Sequence, residues 1–402
     1  MHSASNDDGE GPSWLQRFVL PGLAFKAVVI GGGYSTGREL AEYFMPSGPW
    51  GGLAGMVLAM CIWSVVAVVT FLFARATRAQ DYRTFFRNLL GPFATVFDLA
   101  YLPYIVLLLS VFGAAAGALG AAVFGWQALA GTLCLMVATA ACVAFGNTSV
   151  ERLFKWVSVL LYATYALFLL IAIAKFGNQV APHFALPADS TGWAIRGVTY
   201  AAYNIIGAVV ILPVTRHLTS GRDALIAGAL AGPLAMLPAL IFFVCMCAFY
   251  PQIQGEVLPS DFILKEMDLP AFHLLFQLMI FGALLESGTG CLHAINERIA
   301  ATLGNSAGRT LSSGVRFAIA SAILIGAVFC ANRFGLVTLI AKGYRGLAYT
   351  MLALYVVPLL TVGLWKLRRA GFRRQFTEQQ VEVPRKTTPV PNPVAGCGDA
   401  DG

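Results

Sequence analysis

Ten long apolar stretches, separated by short polar breaks, limit what this chain can fold into more than any single residue does. A hydrocarbon core of about 30 Å is crossed by roughly 20 helical residues. Windows of that kind run from Phe18 to Phe44, Trp50 to Ala74, Phe93 to Phe124, Trp126 to Phe145, Leu153 to Ala174, Trp193 to Val214, Leu225 to Tyr250, Leu269 to Ala301, Val315 to Ala331 and Leu336 to Trp365. The balance of residues agrees, since 58% of the 402 are hydrophobic and 12% charged. An ordinary soluble domain has roughly 25% charged residues, so water is excluded as the main solvent. The same numbers exclude disorder and a collagen-like repeat. Eight cysteines are too few for a disulfide scaffold, and seven of them, Cys61, Cys134, Cys142, Cys245, Cys247, Cys291 and Cys330, lie in apolar runs as small packing residues. The expected class is an all-α integral membrane protein of about ten transmembrane helices.

An even number of spans puts both ends of the chain on one side. Sorting Lys and Arg by loop leaves 19 basic residues on the side of the termini, including Arg75, Arg78, Arg83 and Arg87 and a cluster from Lys366 to Lys386. The other side carries Lys175, Lys265 and Arg333. The excess of basic residues predicts that both termini are cytoplasmic. The net charge of +7 is therefore mostly an orientation signal and not the footprint of a nucleic-acid binder; a lipid bilayer is the partner it implies. Residues 1–13 are acidic and lack the basic start of a signal peptide. They read as a disordered cytoplasmic N-terminus, and 368–402 as a disordered cytoplasmic tail. Between spans 2 and 3, Tyr82, Phe85, Phe86, Leu89 and Leu90 form a helical stripe with Arg83 and Arg87 off it, which predicts a helix lying in the membrane interface as a structural anchor.

Candidate functional residues lie where the spans break their own rules. Span 1 contains Gly31-Gly32-Gly33-Tyr34-Ser35-Thr36-Gly37 near its midpoint, and each glycine weakens a helix by about 1 kcal/mol relative to alanine. Irregular backbone at that depth requires surrounding protein or a water-filled cavity. It exposes carbonyls for a cation and N–H groups for an anion. Close helix packing through small residues, with Gly33 and Gly37 as a GxxxG pair, is the alternative; nucleotide binding fails because no βαβ context surrounds the glycines. Five spans per half give two halves of opposite topology, 14–175 and 176–367. Span 6 should then carry a matching break, and Tyr203, Asn204 and Gly207 stand near its middle.

Span 8 places Glu286 near mid-membrane, where an acid costs about 2.5–3.5 kcal/mol on insertion scales and so faces the bundle interior. Glu286, Thr289, His293 and Glu297 fall on one helical face, with Ser287 beside them. A carboxyl beside hydroxyls suits a proton carrier or a sodium ligand, because burial favours the neutral acid and a bound cation the ionised one. A neutral glutamic acid hydrogen-bonded for helix assembly is the alternative. Glu39 and Glu42 share a face just outward of the glycine break, and either line an outer vestibule or pair with Arg38. Lys26, about 7.5 Å inward of Gly31, either snorkels or substitutes for a coupling cation. Lys342 marks a bend in span 10. His273 and His293 have no third partner at metal spacing, so no metal site is expected.

Through Gly31 to Glu39 in span 1 and Leu339-Ile340-Ala341-Lys342-Gly343-Tyr344 in span 10, the chain resembles the YkvI-type membrane proteins. That family is placed near the amino acid-polyamine-organocation superfamily, with its LeuT-type fold and five-plus-five inverted repeat. The resemblance spans about Trp14 to Trp365. It implies broken helices 1 and 6, a substrate between them, and a cation between spans 1 and 8. In that superfamily adjacent hydroxyls on span 8 often hold sodium; Glu286-Ser287 in their place here shifts the expectation towards protons. The Asp-Pro-Gly-Asn motif of the related metal-ion transporters is absent from span 1.

The reading from sequence is a secondary transporter of a small organic solute, an amino acid or an amine, coupled to protons or sodium, with no other cofactor. Gly31, Gly32, Gly33, Tyr34, Ser35, Thr36, Gly37, Tyr203, Asn204 and Gly207 are the expected solute contacts. Glu286, Ser287, Thr289 and Lys26 are the expected coupling residues, and Glu39 and Glu42 the vestibule. A non-transporting receptor on the same bundle is the rival; an enzyme is not expected, because no nucleophile with a paired base stands out.

Overall fold

The structure, a computed structural model, describes residues 12–29, 32–144, 148–307 and 313–369, and at 32–33, 144, 148–158, 293–307 and 313–317 it describes the backbone alone. Gly31, most of the N-terminal segment and nearly all of the C-terminal tail lie outside the described residues, as do the side chains of His293 and Glu297. The described chain is helical throughout, without a strand.

Among the described residues the helices fall into ten spans. Span 1 comes in pieces, Leu15–Val19, Leu20–Val29, Gly32–Ser35 and Arg38–Tyr43. Spans 2 to 5 are Gly48–Thr77, Ala94–Phe124, Ala128–Ala144 and Thr148–Phe184. Span 6 is Trp193–Asn204 followed by Gly207–Val210, span 7 is Gly221–Cys247, and span 8 is Pro270–Ala307. Span 9 starts at Ser313 and gives way to span 10 at Gly335, whose φ of 70° and ψ of 167° interrupt the helix. Among the described residues six helices are long and apolar enough to cross a membrane by those criteria alone. The difference from ten has physical causes: spans 1 and 6 are broken, span 4 is a shorter apolar helix, and spans 9 and 10 run together within Ala318–Arg369.

Large apolar side chains such as Ile195, Leu99, Ile325 and Val137 are exposed around the bundle, as an acyl-chain solvent permits and water does not. Lipid gives apolar helices no reason to leave it, so close backbone approach must hold them together. A Cβ added at Gly197 of span 6 would lie 2.6 Å from the Gly55 carbonyl oxygen of span 2, and one at Gly117 of span 3 would lie 2.5 Å from the Ala128 carbonyl oxygen of span 4. At both crossings alanine is already too large.

Two short helices flank the bundle. Tyr82–Leu90 forms at the predicted place, capped by Asp81, whose carboxylate accepts from the Thr84 amide at 2.9 Å. Its apolar stripe packs on the bundle. Phe85, Phe86 and Leu89 are buried, with Phe86 stacked on Phe97 of span 3 at 3.6 Å and Phe85 against Phe73 of span 2. The helix is an integral part of the bundle on the terminus side. The second, Pro259–Met267, lies in the charged connection between spans 7 and 8. Its charges hid it from an apolar search, and we term it the lid helix for its position over the break in span 1.

Candidate functional site

The site is built where spans 1 and 6 stop being helices. In span 1, Gly37 adopts φ 77°, its N–H bonding back to the Tyr34 carbonyl at 3.0 Å, and Arg38–Tyr43 restarts the helix beyond it. A side chain at Gly37 would be strained by that φ and would meet the Phe242 ring at 2.9 Å and Pro259 of the lid helix at 3.1 Å. In span 6, Ile205 and Ile206 separate the helix ending at Asn204 from the turn beginning at Gly207. Span 10 widens at the position predicted for its bend, with π geometry over Leu339–Gly343. The Ile340 carbonyl there accepts a hydrogen bond from the Tyr43 hydroxyl at 2.8 Å.

These breaks surround a cavity of about 430 Å³. Its walls come from Ala27 to Val29 before the break in span 1, Glu39 after it, Tyr101, Tyr104, Ile105, Leu108 and Phe112 of span 3, and Leu161 and Tyr162 of span 5. Span 6 adds Tyr203, Asn204, Ile206 and Val210; span 8 adds Ala283, Glu286, Ser287, Gly290 and Cys291; span 10 adds Tyr344. Val28, Tyr162 and Val210, at 38%, 39% and 48% exposure, lie on the terminus side of the breaks, whereas Glu39, Tyr203 and Tyr344 at the other end are buried. The cavity thus runs from mid-bundle towards the side of the termini.

The opposite, loop side is sealed. The buried Arg38 guanidinium donates to the Gln254 and Glu256 carbonyls at 3.1 and 2.8 Å and to the Glu42 carboxylate at 2.6 Å. The Ser260 N–H of the lid helix donates to the Thr36 carbonyl at 3.0 Å. One residue further, buried Asp261 accepts from Gln277 at 2.6 Å, with His273 and Lys265 each at 2.7 Å, tying the lid helix to the first turns of span 8.

Against this frame the expected residues sort as follows. Tyr203, Asn204, Glu286 and Ser287 line the cavity. Glu39 is corrected: it lines no outer vestibule but the buried end of the cavity, 4% exposed, its Oε2 accepting from the Tyr203 hydroxyl at 2.6 Å. Glu42 pairs with Arg38, so the two acids on one face divide between cavity and seal. The segment Tyr34, Ser35 and Thr36 lies outside the cavity lining. The Tyr34 ring is buried 6.3 Å from that of Tyr165, and Ser35 and Thr36 are buried beneath the lid helix contact. Gly37 shapes the break without lining the cavity, and Gly32 and Gly33 are described by their backbone alone. Gly207 lies against Phe25, where an added Cβ would meet the ring at 3.0 Å; it packs span 6 on span 1.

On the expected face of span 8 Thr289 is corrected, while the side chains of His293 and Glu297 lie outside the described residues. Ala283, Glu286, Ser287, Gly290 and Cys291 form the stripe that meets the cavity, while Thr289 lies off it with its hydroxyl bonded to the Leu285 carbonyl at 2.7 Å. The stripe is turned because Gly288 sits close to Thr139 of span 4. The Lys26 ammonium rests 4.4 Å from the centre of the Tyr162 ring, beside the cavity and not in its lining. Sequence reasoning missed the aromatic walls Tyr101, Tyr104, Tyr162 and Tyr344. Their signal was faint, since Tyr101, Tyr104 and Tyr162 are tyrosines in apolar runs and Tyr344 stands beside the charges of the span 10 bend.

No family model matches the chain. The uncharacterized membrane protein YkvI of Bacillus subtilis (strain 168) is 24% identical over 285 residues, which cover 69% of this chain and 80% of that protein. Among solved structures, a Na+-coupled sialic acid symporter in a substrate-bound outward-open state aligns with a TM-score of 0.55 at 12% identity, covering 88% of this chain and 80% of that one. MhsT in complex with L-phenylalanine aligns at 0.53 and 16%, covering 90% and 99%. A manganese transporter of Eremococcus coleocola aligns at 0.51 and 14%, covering 89% and 83%. The chain has the LeuT-type fold. The likeness to YkvI drawn from spans 1 and 10 stands with it, and the halves of the LeuT-type core are the five-plus-five arrangement inferred from the odd number of spans in each. Its neighbours of this fold are membrane transporters. Among the described residues of this LeuT-type core no cluster of three or more His, Cys, Asp or Glu is placed to hold a metal ion.

Proposed function

We propose that the chain is a secondary transporter of a small organic solute, working by alternating access in the cell membrane with both termini in the cytoplasm. The observation that carries this reading is the cavity itself. It lies between two broken helices, is lined by two acids, is sealed on the loop side and leads to the terminus side. Such a cavity is what one half of an access cycle requires, and the polar contacts of the seal are the ones a second state would exchange. Phenylalanine, sialic acid and manganese belong to the neighbours; the volume here suits an organic solute of amino-acid size.

Glu286 is the coupling residue in this proposal. It lines the cavity with Ser287 beside it, and Tyr162, on which Lys26 rests, lines the same cavity. A carboxyl there carries a proton in one state and releases it in the other, or holds sodium when ionised.

Purified protein in liposomes, offered a panel of amino acids and amines under an imposed proton gradient and then a sodium gradient, tests the proposal. Accumulation driven by one of them is expected. Binding without gradient-driven accumulation under either would identify a receptor instead. Glu286→Gln is expected to abolish accumulation while retaining solute binding and exchange; unchanged accumulation removes Glu286 from the mechanism.

A further inference from the structure

We propose that the solute is an organic amine, held as its cation by Glu39, and not a zwitterionic amino acid or an organic acid; this rests on the transporter reading of the same cavity. Glu39 is buried, faces the cavity and has the Tyr203 hydroxyl as its hydrogen-bond partner. Among the described residues no Lys, Arg or His lies within ion-pair distance of it, whereas its neighbour Glu42 is paired with Arg38. A buried carboxylate is normally paired, because leaving it unpaired in a low-dielectric site is costly. Here the protein supplies the partner to Glu42 and withholds it from Glu39.

The walls beside Glu39 suit a cation. Tyr203 and Tyr344 pack with ring centres 4.5 Å apart, and Tyr104 joins them in the lining. Tyrosine faces attract ammonium groups through the ring quadrupole. A second acid, Glu286, shares the cavity, and no Lys or Arg side chain is among its lining residues. A solute carboxylate would enter a space lined by two acids and by no Lys or Arg side chain, with Lys26 beside the lining on Tyr162, away from Glu39 at the buried end. An ammonium with an apolar or aromatic body would meet Glu39 at the buried end, with Val29, Ile105 and Phe112 among the walls around its body.

The test is a matched set that holds the ring constant and changes the charge: phenethylamine, L-phenylalanine and phenylacetate, with choline and putrescine as amines without a ring. Binding to the full chain in nanodiscs is measured by calorimetry. At least one amine is expected to bind, phenylalanine more weakly than phenethylamine, and phenylacetate not at all. Glu39→Gln should weaken the amine by about tenfold or more, as expected for loss of a charge-assisted contact, and Glu39→Asp should recover part of it. Tighter binding of phenylalanine or phenylacetate, no binding of any amine, or undiminished binding by Glu39→Gln each overturns the proposal. Thermal unfolding of the variants separates lost binding from lost folding. Gradient-driven uptake of phenylalanine would overturn the amine while leaving the transporter; amine binding that no gradient converts into uptake would do the reverse.

Discussion

On the loop side of the cavity the break in span 1 is held from several directions. Arg38 reaches two carbonyls and Glu42, Ser260 reaches Thr36, and Asp261 gathers Gln277, His273 and Lys265. On the terminus side the first half of span 1 is held to span 7, through Arg17 on Asp223 and through Gly22 packed against Leu234 and Ala231. The contrast teaches how one fold can favour a direction. Polar staples between separate elements close one end, while at the other span 1 is tied by an ion pair to span 7, packs through Phe25 on Gly207 of span 6 and Trp63 of span 2, and leaves room beside it.

Gly37→Val is the harshest way to break the loop-side arrangement. It forces a β-branched residue into φ 77° against the Phe242 ring and Pro259. Strain and overpacking together are expected to cost roughly 2–5 kcal/mol, read as a fall in the thermal midpoint of purified protein. A midpoint unchanged from wild type would mean that the turn is not tight.

Asp261→Ala should cost less and act more selectively. It leaves Gln277 and His273 without their acceptor at a buried position, at about 1–3 kcal/mol. Lys265, 56% exposed on its side chain, adds little. The lid helix over 259–267 should lose protection in hydrogen exchange while spans 3 and 4 keep theirs. Equal loss throughout the bundle would show that Asp261 supports the whole fold and not the seal.

Much of this frame was legible in the sequence, because membrane spans announce themselves by length and apolarity, and a run of glycines at mid-membrane marks a break whatever its use. Glu286 was legible for the same reason: an acid stands out where acids are costly. Glu39 was misplaced because sequence position sets depth along a helix but not which wall the side chain meets after a break. The turn at Gly37 sends Glu39 towards Tyr203 and Arg38 towards the 254–256 backbone. The place of Thr289 off the cavity lining was hidden likewise, since which side of span 8 meets the cavity depends on contacts such as that of Gly288 with Thr139 in another helix. The lid helix escaped because its charged residues read as a loop, though Pro259 at its start and Asp261 in its first turn are ordinary helix-opening signals.

Asp223→Asn gives the smallest effect and the sharpest comparison. The Asp223 carboxylate accepts from Arg17 at 2.8 and 2.9 Å, and from Thr219 and Ser220 as well. Replacing one acceptor oxygen by an NH2 group turns it against the Arg17 fork. The Ser220 hydroxyl still caps the start of span 7 by accepting from the backbone N–H of residue 223. The substitution therefore loosens the tether and keeps this half of the capping box, while weakening the half in which the Asp223 carboxylate accepts from the Ser220 N–H at 3.3 Å. The first half of span 1, Leu15–Val29, should exchange its amides faster, while the lid helix, on the far side of the break, keeps its protection. If both segments loosen together, the two ends of the cavity are one cooperative unit and the contrast between them is lost. If neither changes, span 1 is held by its packing on span 7 through Gly22, and the ion pair is incidental to the open side.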